Sequence, residues 1–264
     1  MTTASGRPGT AGASRAADRA DRAAEVSWFD TRQITLSRSD LAELDAREKA
    51  RAAAFVFPAD RHRYQVAHVM LRRVLAGHLG TDPSRLTFGR QHCPTCGGPA
   101  GKPVLTGPGT PWPSDGAGPG PSFSLAHSAE AVAIAVARGP VGIDVEREAA
   151  GCVCSLASAM HAADAAIVEV LPEPERHLAV IRWWVRAEAV LKCAGTGIAH
   201  GMDAFPVLVA PVRSRPRLPL EPDVPGWAAA AGCSFAALSA PKGYQAALAL
   251  PGLRLIRYRW GPDC

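Results

Sequence analysis

Two carboxylates at the end of an apolar run are the first residues of this sequence that could do chemistry. The run 131–146, AVAIAVARGPVGIDVE, is as apolar as a buried strand and ends with Asp144 and Glu146. Because successive strand side chains point to opposite faces, these two carboxylates share one face. Adjacent carboxylates in a partly desolvated site repel each other, and one is pushed toward protonation unless a cation lies between them. The pattern therefore predicts a cation at this point.

A third carboxylate lies in the segment WWVRAEAVLK, where Glu188 and Lys192 are four residues apart. On a helix these two side chains lie on one face, one turn from each other. A surface ion pair is the simpler interpretation of this spacing. However, Trp183 and Trp184 anchor the helix in a core, which could direct its Glu/Lys face toward the Asp144 strand. Three converging carboxylates would form an oxygen site suited to Mg²⁺, an ion that often shares its coordination with substrate phosphates.

Three basic residues could receive such a phosphate. Lys192 would lie beside the metal, His127 ends the strand-like segment FSLAHS, and Lys102 lies in the loop segment GGPAGKP. A structural histidine and a solvated loop lysine are the alternatives for the last two. Taken together, the three residues indicate an anionic ligand.

The elements that must position these residues alternate between helical and strand patterns. Residues 1–25 are small and polar, which predicts a disordered tail before structure begins at Val26. Each half then combines helices with antiparallel strand pairs, which predicts an α+β fold of two similar lobes, 26–139 and 140–264, hinged near 138–141. The predicted helices are 39–51, 60–80, 155–171 and 175–198, and the predicted strands are 121–128, 131–137, a strand pair within 233–250, and 253–260.

Composition excludes several classes of protein. The 264 residues are 47% hydrophobic and 20% charged, with a net charge of +5, which is weak for a nucleic-acid binder but suits an anionic ligand or an acidic partner. No apolar stretch is long enough to span a membrane and no secretory signal is present, so we expect a cytoplasmic protein. Seven cysteines at irregular spacing favour reduced thiols. Two internal lobes make a monomer sufficient.

Four motifs, in their order and spacing, carry a resemblance to a known family. They are GKP (101–103), FSLAHS (123–128), GIDVE (142–146) and WVRAEAVLK (184–192). This series resembles the signature of the 4'-phosphopantetheinyl transferases of the surfactin-synthetase type, and weaker similarity extends over about 26–260. The resemblance implies two pseudo-symmetric α+β lobes with the active site between them.

The resemblance also implies an activity. Such enzymes move the phosphopantetheine arm of coenzyme A onto a serine of an acyl or peptidyl carrier protein, as in polyketide and nonribosomal peptide biosynthesis, and release adenosine 3',5'-bisphosphate. Carried over by position, it makes Asp144, Glu146 and Glu188 the Mg²⁺ ligands. Glu188 would also be the base for the carrier serine, which needs one because a hydroxyl is a poor nucleophile at neutral pH.

The same resemblance assigns the coenzyme A contacts. Lys192 would stabilise the phosphate during transfer, and His127 with its neighbours 124–126, including Ser124, would hold coenzyme A phosphates. The stretch 97–102, including Lys102, would meet the nucleotide end. Alignment and charge neutralisation are the main tasks of a protein in phosphoryl transfer, so these roles are chemically consistent.

Two positions depart from the family pattern. The family carries Lys before the helix Glu, and this chain has Ala187; Ala126 replaces a small or polar residue before the strand His. One phosphate contact is therefore missing, unless Arg186 compensates in part. From this we expect an Ala187→Lys variant to bind coenzyme A more tightly.

Two alternatives come from other classes of protein. HCPTCGG (92–98) has the spacing of half a zinc site, which would suit a zinc-knuckle nucleic-acid binder. However, no second Cys-x-x-Cys exists, and no interleaved basic and aromatic face supports nucleic-acid binding. We therefore expect Cys93 and Cys96 to be a structural loop feature without metal. The other alternative is a homologue that binds coenzyme A or a carrier protein without turnover.

Overall fold

The computed structural model describes residues 23–94, 96–99, 101–106, 121–148, 154–197, 201–208, 233–251 and 255–261. Its helices are α1 (Arg38–Ala42), α2 (Ala46–Ala53), α3 (Pro58–Leu79), α4 (Ala162–Glu169) and α5 (Glu173–Ala194). Its strands are β1 (Ala23–Asp30), β2 (Thr87–Arg90), β3 (Pro103–Thr106), β4 (Ser122–Ser128), β5 (Ala131–Ala137), β6 (Gly142–Arg147), β7 (Cys233–Ala237), β8 (Tyr244–Pro251) and β9 (Leu255–Trp260).

A four-stranded sheet with the order β4-β5-β1-β9 forms the first layer. β5 pairs antiparallel with both β4 and β1, while β9 pairs parallel with β1. Every residue of β5 is buried, because it lies in the middle of the sheet with both faces covered. One of these faces packs against α3 through Val66, Met70 and Leu75.

The long helix α3 begins and ends where its sequence allows. Pro58 occupies the first turn, where its missing N–H costs nothing. Gly80 ends the helix in the left-handed conformation with φ 62°, which glycine adopts without steric cost. Its buried apolar residues recur at three- and four-residue spacing, as in Val66, Val69 and Met70, and anchor α3 on the sheet.

A three-stranded antiparallel sheet with the order β6-β8-β7 forms the second layer. Helix α5 packs across it, and Trp183, Val190 and Leu191 are fully buried at that contact. Gly195 ends α5 with φ 80°. The two layers meet where β4 approaches β6, and there the Ile143 amide donates to Ser124 Oγ at 3.1 Å.

The mixed α and β composition agrees with the α+β expectation, but several boundaries differ. Residues 1–22 of the expected tail lie outside the described residues, whereas 23–25 belong to β1. The final strand β9, expected within the 140–264 lobe, joins the first sheet instead, since it pairs with β1.

Three helix boundaries also differ. The expected helix 39–51 is two helices, because Asp45 accepts a hydrogen bond from the Glu48 amide and starts α2 anew. The expected helix 155–171 is a 3-10 turn (Cys154–Ala159) followed by α4. The segment 172–175 (PEPE), which separates the two expected helices 155–171 and 175–198, opens α5 instead: Pro172 is the cap, and two glutamates lie in the first turn. Within the described residues, no helix combines the length and apolar character needed to cross a bilayer.

Candidate active site

Close packing between β6 and α5 brings the predicted carboxylates together. A Cβ atom on Gly142 would lie 1.9 Å from the Ala189 carbonyl oxygen and 2.4 Å from the Cys193 nitrogen. Only glycine therefore allows the strand to lie this close to the helix backbone. As a result, Asp144, two residues further along the strand, faces the last two turns of α5.

Lys192 is the cation that lies among the carboxylates in this structure. Its Nζ lies 2.6 Å from Asp144 Oδ1 and 4.0 Å from Glu188 Oε2. Asp144 and Glu188 are only 5% and 6% exposed, so the three charges interact in a largely desolvated place. Glu188 and Lys192 therefore do not form the surface ion pair of the simpler interpretation but belong to a three-group cluster between strand and helix, as expected from the anchored helix.

Burial perturbs both carboxyl groups. Desolvation raises the pKa of Asp144 to about 7, although the Lys192 charge acts in the opposite direction. Desolvation also raises the pKa of Glu188, and the negative charge of Glu146 adds to that effect. Clustered carboxyl groups with raised pKa values are typical of functional sites.

Two buried oxygens of this cluster lack a hydrogen-bond donor. They are Asp144 Oδ2 and Glu188 Oε1. Buried carboxylate oxygens without a donor are costly, and hard oxygen donors of this kind suit a divalent cation. Among the described residues, however, no group of three or more acidic, His or Cys side chains already lies in a metal-binding arrangement. The carboxylate oxygens of this cluster are donors that suit Mg²⁺. In this structure the Lys192 ammonium offsets the negative charge of the carboxylates instead.

Glu146, the third predicted ligand, is held from the neighbouring strand β4. Ser128 Oγ donates to Glu146 Oε2 at 2.6 Å and accepts from the Arg147 amide at 3.2 Å. Glu146 is half-buried on the same face as Asp144. The sequence reasoning did not assign a role to Ser128, although its place at the end of FSLAHS was a possible signal.

A cavity of about 670 Å³ adjoins Lys192. It lies between helices α2 and α3, the β2–β3 hairpin and the end of α5. Its wall includes Ser124 and Leu125 of β4 and carries several basic side chains, which are Arg47, Arg51, Arg90, Lys102 and Lys192. The sequence reasoning missed the three arginines, since nothing in their local sequence distinguishes them from solvated surface residues.

One wall of this cavity carries a histidine held by a buried carboxylate. His68 Nδ1 lies 3.0 Å from Glu48 Oε1, and the His68 ring stacks on Tyr64 with centroids 4.1 Å apart. Glu48 also accepts from buried Arg72 at 2.8 Å. Hydrogen bonds from His68 and Arg72 outweigh desolvation and lower the pKa of Glu48, so Glu48 is ionised and His68 Nδ1 acts as the donor.

The residues predicted to contact coenzyme A have different surroundings in the structure. Lys102 lines the cavity, but its Nζ donates to the Val141 carbonyl at 2.6 Å. Ser124 Oγ accepts from the Ile143 amide and so joins the two layers. The ring of His127 is exposed at the surface. Desolvation by the neighbouring protein nevertheless lowers its pKa, and the nearby charges of His68 and Lys192 act in the same direction.

Position 187 corrects an expectation from the sequence. Ala187 is fully buried in the core around Trp183 and Val190, so a lysine there would be forced into apolar surroundings. Arg186 cannot compensate either, because its Nη1 donates to the Val207 carbonyl at 3.1 Å and its guanidinium lies over the Phe235 ring. The burial of position 187 therefore argues against the expectation that Ala187→Lys would tighten coenzyme A binding.

The Cys-x-x-Cys segment forms a tight turn. The Cys93 amide donates to the Gly98 carbonyl at 2.7 Å, and the Gly97 amide donates to the Cys93 carbonyl at 2.8 Å. Cys93 is buried with its sulfur 3.8 Å from the Thr196 carbonyl oxygen, whereas Cys96 is exposed. The two thiols thus lie in different environments.

Comparison with known proteins bears on this cluster. The chain is 31% identical over 160 residues to the 4'-phosphopantetheinyl transferase HetI of Nostoc sp. (strain PCC 7120). That match covers 60% of this chain and 62% of the relative, so the chain spans less than two thirds of the protein it resembles. Residues 140–249, which include Asp144, Glu146, Glu188 and Lys192, match the model of the 4'-phosphopantetheinyl transferase superfamily.

Proposed function

We propose that this protein is a 4'-phosphopantetheinyl transferase. It transfers the phosphopantetheine group of coenzyme A to a serine of an apo acyl or peptidyl carrier protein and releases adenosine 3',5'-bisphosphate. The observation that carries this proposal is the buried Asp144–Lys192–Glu188 cluster, whose Lys192 lines a basic cavity. The matched superfamily region, 140–249, supports it independently.

The cavity is suited to an anionic nucleotide. Its volume of about 670 Å³ is in the range of small-molecule and cofactor sites. Arginine forks such as those of Arg47, Arg51 and Arg90 recognise phosphate groups bidentately. Lys192 lies at the end of this wall that is closest to the carboxylates, so a ligand with phosphates along its length could reach from the arginines to Asp144.

Asp144, Glu146 and Glu188 are the residues that would hold Mg²⁺. The two buried carboxylate oxygens without a donor, Asp144 Oδ2 and Glu188 Oε1, support this assignment. When bound, the ion would neutralise charge on the coenzyme A pyrophosphate. Lys192 would share or release Asp144 in that state, which would leave its ammonium available for the transferred phosphate.

Glu188 is the candidate general base. Burial raises its pKa above that of an exposed glutamate, which makes its carboxylate a stronger proton acceptor. In the reaction, the serine proton passes to Glu188 while the serine oxygen bonds to the β-phosphorus of coenzyme A. The bond from that phosphorus to the bridging oxygen breaks, and the leaving bisphosphate carries the bridging oxygen away. Lys192 would stabilise the charge on the transferred phosphoryl group.

The finer assignments are part of the same proposal. The surfactin-synthetase type and a pseudo-symmetric pair of lobes are supported by two sheets that each pack against a 22-residue helix, α3 and α5. The carrier domains served would include those of polyketide and nonribosomal peptide synthases. We also propose that the protein acts as a monomer in the cytoplasm. Its macromolecular partners would be carrier proteins rather than nucleic acids.

Intact-mass measurement of an apo carrier protein tests this function. Incubation with coenzyme A and Mg²⁺ should add one phosphopantetheine to the carrier, and Asp144→Ala should lose at least about a hundredfold in rate. Glu169→Ala is the matched control, since Glu169 is an exposed acidic residue on α4. Thermal unfolding of each variant verifies that it is folded.

Two outcomes would contradict the proposal. Near-normal transfer by folded Asp144→Ala would remove Asp144 from the site. Saturable binding of coenzyme A without any transfer, tested over several apo carrier proteins, would instead identify the non-catalytic homologue.

A further inference from the structure

Two buried cysteines lie in contact beneath the site. Cys193 on α5 and Cys233 on β7 have their sulfur atoms 3.2 Å apart, and the Cys233 thiol donates to the Cys193 sulfur. The two residues are 3% and 0% exposed. Forty residues separate them in the chain, so the fold alone brings them together.

A lysine ammonium lies close enough to act on both thiols. Desolvation lowers the pKa of Lys102, whereas its charged form and a thiolate at either cysteine favour each other, and Lys102 forms no ion pair with a carboxylate in the part of the chain described. The hydrogen bond from Cys233 lowers the pKa of Cys193, and Lys102 adds to this effect. The same bond raises the pKa of Cys233. Cys193 is thus the nucleophilic sulfur and Cys233 retains its proton.

The cavity brings a small oxidant close to this pair. Lys102, Leu191 and Gly195 all line the 670 Å³ cavity. Leu191 and Gly195 are each two residues from Cys193 in the chain, and the Lys102 charge acts on the Cys193 sulfur. Cys193 is therefore separated from the cavity by its immediate neighbours only. A molecule the size of hydrogen peroxide can enter such a cavity without unfolding the domain.

We propose that Cys193 and Cys233 are a redox modification site, which a hydroperoxide converts into an intramolecular disulfide. The Cys193 thiolate attacks one peroxide oxygen, the O–O bond breaks, and the sulfur becomes a sulfenic acid as hydroxide leaves and is protonated to water. The Cys233 sulfur then attacks the Cys193 sulfur, the S–O bond breaks, and the second water carries away the thiol proton. Two thiols are oxidised and one peroxide is reduced to two waters.

The bond would tie the helix that carries Glu188 and Lys192 to the edge strand of the second sheet. A disulfide requires the sulfur atoms to approach from 3.2 Å to about 2.05 Å, and the bond would then hold the last turn of α5 to β7. It would also remove both of the thiols that interact with the Lys102 charge.

Peptide mapping after peroxide treatment tests the site directly. Trypsin releases Cys193 in peptide 193–213 and Cys233 in peptide 218–242, and each peptide holds a single cysteine. We expect these two peptides to appear cross-linked after treatment of the native protein with hydrogen peroxide and to separate after dithiothreitol. Cys193→Ser and Cys233→Ser should each abolish the cross-link, whereas Cys96→Ser, which alters an exposed cysteine, should leave it.

Lys102 supplies a second and independent measurement. Lys102→Met removes the ammonium and should slow cross-linking at least about tenfold, whereas Lys102→Arg should retain most of the rate. Absence of the 193–213/218–242 cross-link in folded, peroxide-treated protein would overturn the proposal. An equal rate in Lys102→Met would overturn the role of Lys102 in activating the pair. Neither measurement depends on transferase activity.

Discussion

At the scale of single residues, the cluster on β6 and α5 is governed by the cost of burying charge. Asp144 keeps a raised pKa of about 7 even though Lys192 Nζ lies 2.6 Å away, because desolvation is the larger effect. The Asp144 carboxyl therefore binds more protons in the folded protein than in the unfolded chain between about pH 4 and pH 7. In this window Asp144 favours folding at the acidic end and loses that contribution as the pH rises toward 7.

This balance predicts how stability depends on pH. With metal removed by a chelator, we expect the contribution of Asp144 to the free energy of unfolding to fall as the pH rises from about 4 to about 7, so the stability of Asp144→Asn relative to the wild type should rise over this range because Asn does not titrate. Denaturant unfolding at several pH values measures both. Asp164 has a raised pKa of its own, so Asp164→Asn is the control that separates the two contributions. An unchanged slope in Asp144→Asn would show that another group is responsible.

His68 lines the cavity, and we add it to the residues that are expected to bind coenzyme A. Its Nδ1 donates to ionised Glu48, which leaves Nε2 able to donate to a ligand phosphate when the ring is protonated. We expect His68→Ala to raise the KM for coenzyme A about tenfold with little change in kcat, as for the loss of one charge-assisted hydrogen bond.

The matched control for His68 is His78→Ala, an exposed histidine in the last turn of the same helix. Steady-state kinetics at saturating carrier protein, with coenzyme A varied, separate the two constants. A loss confined to kcat would place His68 in the chemical step instead of in binding.

At the scale of elements, the approach of β6 to α5 decides whether the site exists. We expect Gly142→Ala to destabilise the protein by about 3 kcal/mol or more, because the added Cβ would lie 1.9 Å from the Ala189 carbonyl oxygen and backbone cannot yield as a side chain does. Urea unfolding monitored by tryptophan fluorescence measures the change.

Gly139→Ala is the control for this prediction. Gly139 precedes the same strand, and an added Cβ there meets nothing within 4 Å. We expect its free energy of unfolding to stay within about 0.5 kcal/mol of the wild type. Equal stability of Gly142→Ala and Gly139→Ala would mean that strand and helix are not held as closely as described.

At the scale of the whole molecule, the last described strand closes the first sheet. β9 pairs parallel with β1, and Trp260 stacks on Trp28 with ring centroids 5.6 Å apart and an interplanar angle of 14°. Trp28 is buried and Trp260 is 55% exposed, so the stack covers the core from outside. The two ends of the described chain thereby stabilise one another.

We expect Trp260→Ala to lower the free energy of unfolding by about 1 to 2 kcal/mol, since it removes a stacked aromatic pair and part of the apolar cover of Trp28. Thermal and urea unfolding measure it. Arg257→Ala, an exposed change on the same strand, should have almost no effect. If both variants unfold like the wild type, β9 contributes little to the stability of the sheet.

The sequence by itself determined the longest regular elements and the identity of the charged cluster, but not the strands β1, β2 and β3. Periodicity located α3, α5, β4, β5 and β6, because long amphipathic or fully apolar runs have one favourable conformation each. The alternation in GIDVE and the four-residue spacing of Glu188 and Lys192 were enough to select the carboxylates, since these spacings follow from local backbone geometry.

Only the tertiary structure decided what those residues touch. It placed Lys192 on Asp144, put Ala187 in the core and turned Arg186 toward Val207, none of which follows from spacing along one helix. It also brought Cys193 to Cys233 and His68 to Glu48 from separate elements. Long-range contacts of this kind depend on how helices and sheets pack, and packing is set by the shapes and volumes of many side chains at once rather than by any local pattern.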